Sequence, residues 1–276
     1  MKIDAHHHCW RYRAEDYGWI DDAMAVIRRD YGPEDLAPLL AAAGIDGTVA
    51  VEARSSVEET TWLLALARRH AFIKGVVGWA PIGDPSLGAL LDRWREDPAL
   101  KGVRQVLQGE PVEFMATPAF NAGLEAVRAR GLSFDLCVKA PQLPAVIALV
   151  DRHPHLPFVL DHIGKPVVAG PPPAAWRRDL AELARRPHVC CKFSGVATEA
   201  PGYAWNPELA RSYFDVVLEA FGARRLMFGS DWPVCLVATG YVAWNQAVAG
   251  CVAALSPAER EMILGGTATR FYRLSA

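Results

Sequence analysis

Residues 1–10 read MKIDAHHHCW, and the fold turns on whether His6-His7-His8 closes a strand or belongs to an appended tag. A tag carries about six histidines in a flexible setting. Here the run sits inside KIDAHHHCW (2–10), where Ile3 and Ala5 alternate with Asp4, His6 and His8. That period of two is the mark of a strand. On a strand His6 and His8 project to one side and His7 to the other. The stretch therefore reads as a His-x-His pair at the end of a first strand, and such a pair needs partners elsewhere.

Working outward, seven further apolar, β-branched runs recur: GTVAVEA (47–53), IKGVVGWA (73–80), KGVRQVL (101–107), SFDLCV (133–138), FVLDH (158–162), HVCCKFSG (188–195) and RLMFGSD (225–231). Between them lie stretches with helical spacing. SVEETTWLLALARRH (56–70) opens with Ser56 and has Glu59 three residues on, the order of a capping box. TPAFNAGLEAVRARG (117–131) offers Thr117 as N-cap, Pro118 in the first turn and Gly131 as a stop. APQLPAVIALVDRH (140–153) and NPELARSYFDVVLEAFG (206–222) read the same way, the second closed by Gly222. Alternating strands and helices pair in parallel through right-handed crossovers. Eight such units predict an α/β chain folded as a single (β/α)₈ barrel, one domain over 1–276. A doubly wound open sheet is the alternative, but no Gly-x-Gly-x-x-Gly follows the first strand. Two stretches fit no repeat unit: the aromatic-rich excursion Trp10–Leu36 and the proline-rich GKPVVAGPPPAAW (164–176). Long loops at the carboxyl ends of barrel strands are usually functional.

Composition narrows the function. A chain of 276 residues with 51% hydrophobic content can fill such a barrel. The net charge of −2, with both signs interspersed, argues against nucleic-acid binding. No apolar run of about 18 residues suggests a membrane span, and the N-terminus lacks a secretory pattern. The six cysteines show no zinc-ribbon spacing and read as buried small hydrophobes kept reduced in the cytoplasm. Nothing in the pattern sets an oligomeric state.

A barrel places its chemistry at the carboxyl ends of its strands. His6 and His8 end the first run, Asp161 and His162 the sixth, and Asp231 the eighth. Three imidazoles and a carboxylate form an N₃O set suited to a zinc-like divalent ion. Glu52 ends the second run, Arg104 lies within the fourth, and Lys192 and Ser194 alternate on the seventh. Arg104 and Lys192 read either as substrate contacts or as salt bridges on the rim. Trp10, Tyr12, Trp19 and Trp79 read either as a pocket wall or as ordinary core.

IDAHHHCW, FVLDHIGKP, CKFSG, RLMFGSDWPV and GGTATRFYRL, in that order and spacing, resemble the amidohydrolase superfamily over essentially the whole chain. More narrowly they resemble its amidohydrolase-2 branch of sugar- and aromatic-lactone hydrolases. HCWRYRAEDYGWI is similar to the first-strand loop of L-fuconolactonases and L-rhamnonolactonases. The resemblance implies that His6, His8 and His162 surround a substrate carbonyl and that Asp231 activates water. KGVRQVL and SFDLCV lack the bridging residue and the histidine of two-metal members, so it implies one divalent ion at most, zinc the best suited, or none. Gln105 stands where related lactonases often have histidine. The implied substrate is a small sugar lactone opened to its aldonic acid. Glu52, Arg104, Lys192 and Ser194 would read its hydroxyls, with Trp79, Trp10 or Tyr12 against the ring. Ser194 and Ser230 lack a Gly-x-Ser-x-Gly elbow, so no covalent intermediate is implied. Two rivals remain: a single-metal decarboxylase of aromatic or unsaturated acids, and a catalytically silent binding barrel.

Overall fold

In the computed structural model, which describes residues 1–275, eight parallel strands follow one another in chain order around a barrel. They are β1 (Ile3–His7), β2 (Gly47–Val51), β3 (Ile73–Trp79), β4 (Leu100–Arg104), β5 (Ser133–Leu136), β6 (Phe158–Leu160), β7 (Val189–Phe193) and β8 (Leu226–Phe228). The ring closes just beyond β8. Asp231 N donates to His6 O at 2.8 Å and His8 N to Trp232 O at 2.6 Å. The closing seam is thus built from the same residues that carry the His-x-His pair.

Helices α1 (Pro33–Ala43), α2 (Val57–Arg69), α3 (Leu87–Trp94), α4 (Pro118–Ala129), α5 (Leu143–Arg152), α6 (Ala174–Ala184), α7 (Pro207–Phe221) and α8 (Tyr241–Val252) form the outer ring, followed by α9 (Pro257–Glu261) and α10 (Thr267–Tyr272). Their starts follow cap chemistry. Ser56, Thr117 and Asn206 each accept from the backbone N–H three residues on, satisfying donors the helix leaves orphaned. The box expected at α2 forms differently: the Glu59 carboxylate reaches past Ser56 to the N–H groups of Ala53 (3.1 Å) and Arg54 (2.9 Å). That bond ties α2 to the loop carrying Glu52.

Two buried clusters hold the layers together. Outward-facing strand residues such as Phe134, Phe158, Leu160, Phe193 and Phe228 pack with the helices. Ile3, Ala5, Val49, Val51, Val77, Val159, Cys190 and Met227 fill the barrel, with Tyr272 and Leu274 from the chain's end packed against them. Burying side chains of this size is worth about 1.5–3 kcal/mol each, and the filled interior makes the barrel a core with a floor.

Sequence reading and structure differ in three places. The strands end one to three residues earlier than the apolar runs, so Glu52, Asp161, His162, Ser194 and Asp231 stand just past strand ends. His162 and Asp231 adopt left-handed backbone (φ 51° and 59°), because a chain leaving a barrel strand must turn sharply. Within β1, a bulge between Asp4 and His7 breaks strict alternation. Ala5 joins the interior while Asp4 accepts from Tyr241 Oη of α8 (3.1 Å) and Ser230 N (2.8 Å). Finally, the excursion after β1 stops at Gly32, where α1 begins. Its stem is pinned by paired backbone bonds between Trp10 and Tyr31, both 2.9 Å.

Candidate active site

Three imidazole Nε2 atoms and one carboxylate oxygen converge at the carboxyl mouth. His6 Nε2 lies 3.3 Å from His8 Nε2, which lies 3.3 Å from Asp231 Oδ1. His6 Nε2 and His162 Nε2 are 3.8 and 3.9 Å from that same oxygen. Each ring's other nitrogen is engaged. His8 Nδ1 meets Val51 O at 2.9 Å; a carbonyl only accepts, so Nδ1 carries the hydrogen and Nε2 a lone pair. His162 Nδ1 meets Ser194 Oγ at 2.9 Å. His6 Nδ1 lies 3.3 Å from Asp161 Oδ1. Lys192 Nζ is also 3.3 Å from Nδ1 but has closer acceptors, leaving that hydrogen to Asp161.

The consequence is electrostatic. Lone pairs on His6 and His8 face each other and a carboxylate, an arrangement that repels unless a cation or protons lie between. Tetrahedral zinc with nitrogen ligands spaces them about 3.3–3.4 Å apart, and the two shortest separations here are 3.3 Å. The donor set therefore fits a divalent ion, with the outer partners of the imidazoles fixing their orientation. His6, His8 and Asp231 form one potential metal-holding trio, and His6, Asp161 and His162 another that shares His6. Burial holds the His162 and His6 imidazoles neutral, pushing His162 down to about 4 and His6 well below its ordinary value; neutral imidazole is the metal-binding form.

Above this cluster opens a cavity of about 470 Å³. Its wall includes His8, His162, Asp231, Glu52 and Arg104, with Trp19, Asp16 and Glu15 contributed by the excursion after β1. Arg104 forms buried salt bridges at the cavity wall. It faces the cavity and pairs with Glu52 Oε1 (2.6 Å) and Asp161 Oδ2 (2.9 Å).

Other expected contacts fall elsewhere. Lys192 is fully buried beneath the histidines, 2.6 Å from Asp135 Oδ2 and 3.0 Å from Asp161 Oδ1, and Ser194 supports His162. Neither lines the cavity. Trp10 packs behind His8, its Nε1 donating to Arg29 O at 2.8 Å. Tyr12 stacks on Tyr17, and Trp79 ends β3; neither belongs to the wall. The aromatic that does reach the cavity is Trp19, which is 42% exposed. His7 points away, its Nδ1 3.4 Å from His8 O.

A family model described as Amidohydrolase matches residues 3–274. The chain belongs to the amidohydrolase family. Among its relatives, this amidohydrolase is 42% identical to an L-fucono-1,5-lactonase of Burkholderia multivorans, covering 99% of this chain and 96% of the relative. It is 37% identical to an L-fucono-1,5-lactonase of Burkholderia ambifaria over the same shares. A crystal structure of an amidohydrolase from Burkholderia multivorans with bound zinc matches it with a TM-score of 0.96 at 42% identity, covering 100% of each chain.

Three residues of this amidohydrolase, Asp135, Tyr272 and Lys165, escaped the sequence reading, which placed Asp161 at a strand end without a role. Asp135 and Asp161 hold Lys192, and Tyr272 Oη donates to Asp135 Oδ2 at 2.7 Å. Lys165 reaches the cavity wall three residues after His162. An acidic residue inside an apolar strand run was the available signal for Asp135. Tyr272 offered none, because its partner is 137 residues away.

Proposed function

We propose that this amidohydrolase hydrolyses a small sugar lactone to the aldonate, with L-fucono-1,5-lactone the first substrate to test. The observation that carries the reading is the convergence of three Nε2 atoms and Asp231 on the floor of a cavity of about 470 Å³. The identity of 42% with an L-fucono-1,5-lactonase along 99% of the chain supports the substrate class.

His6, His8, His162 and Asp231 would hold one divalent ion, zinc by their chemistry. Bound there, it supplies Lewis-acid polarisation of the lactone carbonyl. The side-chain contacts of Asp231 all fall on Oδ1, leaving Oδ2 to accept a proton from water as that water adds to the carbonyl carbon. The carbon–ring oxygen bond then breaks, and Asp231 returns the proton to the ring oxygen. The new carboxylic acid gives its own proton to solvent, so lactone and water become aldonate and one proton. Arg104 and Glu52, locked together at 2.6 Å, form a rigid donor–acceptor pair for sugar hydroxyls. Trp19 offers an apolar face to the ring. Six cysteines, with no disulfide among the described residues, fit a reducing compartment such as the cytoplasm. No helix among those residues is long and apolar enough to cross a membrane.

A panel of aldonolactones followed by pH-indicator acid release tests the reading. Acid release is expected from L-fucono-1,5-lactone and close relatives, and not from peptides or phosphate esters. Decarboxylation of an aromatic acid, with no acid release from any lactone, would overturn it.

A further inference from the structure

Directly after β6 the chain makes a turn found nowhere else among the described residues. His162, Ile163, Gly164 and Lys165 are left-handed in succession, with φ of 51°, 51°, 74° and 46°. Non-glycine residues visit this region singly, at about 1–2 kcal/mol each, so three of them in one turn is strain that packing must sustain. What the turn achieves is placement. Both of its polar members, His162 and Lys165, line the cavity.

Lys165 differs from the other cations of that wall. Arg104 is bound to Glu52 and Asp161 at 2.6 and 2.9 Å. Arg54 is bound to Asp16 at 2.7 Å. The Lys165 ammonium, with its side chain 19% exposed, has only Glu199 Oε1, at 3.9 Å. That is beyond a hydrogen bond, and no protein acceptor within bonding distance meets its three N–H donors among the described residues. At the wall of an open cavity, such an ammonium keeps its donors available to acceptor atoms of a ligand. The reaction proposed above supplies them, because a neutral lactone enters and an anion leaves.

Resting on that hydrolytic reading, we propose that Lys165 is the substrate-contacting cation that receives the negative charge created by ring opening. It contributes little to binding the neutral lactone and progressively more as the carboxylate forms. Interactions that strengthen along the reaction appear in turnover, and those made equally at the start appear in KM.

The test uses Lys165→Met and Lys165→Arg beside the wild-type protein. Thermal melts check the fold, kcat and KM are measured with L-fucono-1,5-lactone, and competitive inhibition is measured with L-fuconate and with neutral L-fucitol. Lys165→Met is expected to lose about 10²–10³-fold in kcat, the scale for removing one donor to a developing oxyanion, with KM changed less than about threefold. Inhibition by L-fuconate should weaken by a similar factor while that by L-fucitol holds, and Lys165→Arg should recover most of both. Equal losses for L-fuconate and L-fucitol, or a loss confined to KM, would overturn the proposal and leave a structural or hydroxyl-binding lysine. Absence of acid release by the wild-type protein sinks the hydrolytic reading instead; L-fuconate and L-fucitol affinities by calorimetry then decide Lys165 without turnover.

Discussion

Asp231 holds a strained backbone (φ 59°) and directs one carboxylate oxygen at three imidazoles. Its left-handed conformation also lets its N–H close the barrel onto His6 O, so the residue serves chemistry through its side chain and architecture through its backbone. Asp231→Asn removes the base without altering that backbone bond. The expected outcome is a loss of about 10²–10⁴ in turnover, with the melting temperature of the chelator-treated protein unchanged, checked by acid release and by thermal scans of both proteins in chelator. Turnover within about threefold of wild type, set against that expected loss, would sink the proposed base. Gly195 makes a second case. At φ 66° it leaves room for His162, whose Nδ1 would lie 2.7 Å from an added Cβ. Gly195→Ala is predicted to cost on the order of 1–3 kcal/mol and to displace His162, so denaturant midpoint and turnover should fall together.

At the scale of elements, the β2–α2 connection is the segment whose stability should answer to pH. Burial, and next the charge of Glu52, push the Glu59 carboxyl up from 4.5 to about 8. Between those values the native chain holds a proton that the unfolded chain has released, so this group's contribution to stability falls as pH rises from about 4.5 to about 8 and then levels. Glu59→Gln keeps the acceptor for Ala53 and Arg54 and has no proton to lose. The variant's advantage in unfolding free energy, measured by urea denaturation, should therefore grow across that window, reaching the order of a few kcal/mol at its upper end. A flat difference from pH 5 to pH 9 would show that the carboxyl is ionised throughout. The helices themselves were legible because their caps are local: Ser56, Thr117 and Asn206 act within three residues. The strand ends were less so, since apolar character continues past the last ladder bond into Cys137 and Val138 after β5.

Across the whole molecule, a buried charge chain runs from the barrel floor to the site. Tyr272 donates to Asp135, Lys192 joins Asp135 to Asp161, and Asp161 meets both His6 and Arg104. Burial opposes the ionised Asp161, but Lys192, His6 and Arg104 hold its carboxyl well below the usual range. Removing one partner of a buried pair leaves the others uncompensated, a cost of about 3–5 kcal/mol. Lys192→Met is expected to lose stability on that scale in urea unfolding, and to weaken metal binding by freeing His6 from its fixed orientation. The metal itself has a direct check. Chelation should lower the melting temperature and added zinc restore it, as expected for a ligand bound only by the folded state. Elemental analysis should give about one ion per chain, the number one N₃O set can hold. Two ions would mean that the His6, Asp161 and His162 trio is filled as well.

Period-two and helical patterning determined the (β/α)₈ barrel, because each strand and helix declares its buried face within a few residues. The same patterning put His6, His8, His162 and Asp231 at strand ends, since polar residues interrupt apolar runs where strands leave the core. What only the tertiary structure decided is which polar residues share a space. Lys192 and Ser194 sit on β7 and just beyond it as expected, yet they support histidines from below, while Trp19 and Lys165 reach the cavity from loops with no periodicity. Inward-facing residues from eight strands meet across the barrel at separations of 50 to more than 200 residues in the chain, as with Glu52–Arg104 and His8–Asp231. Local patterning reports the direction in which a side chain points. Its partner is set by closure of the ring, and closure is a property of the whole chain.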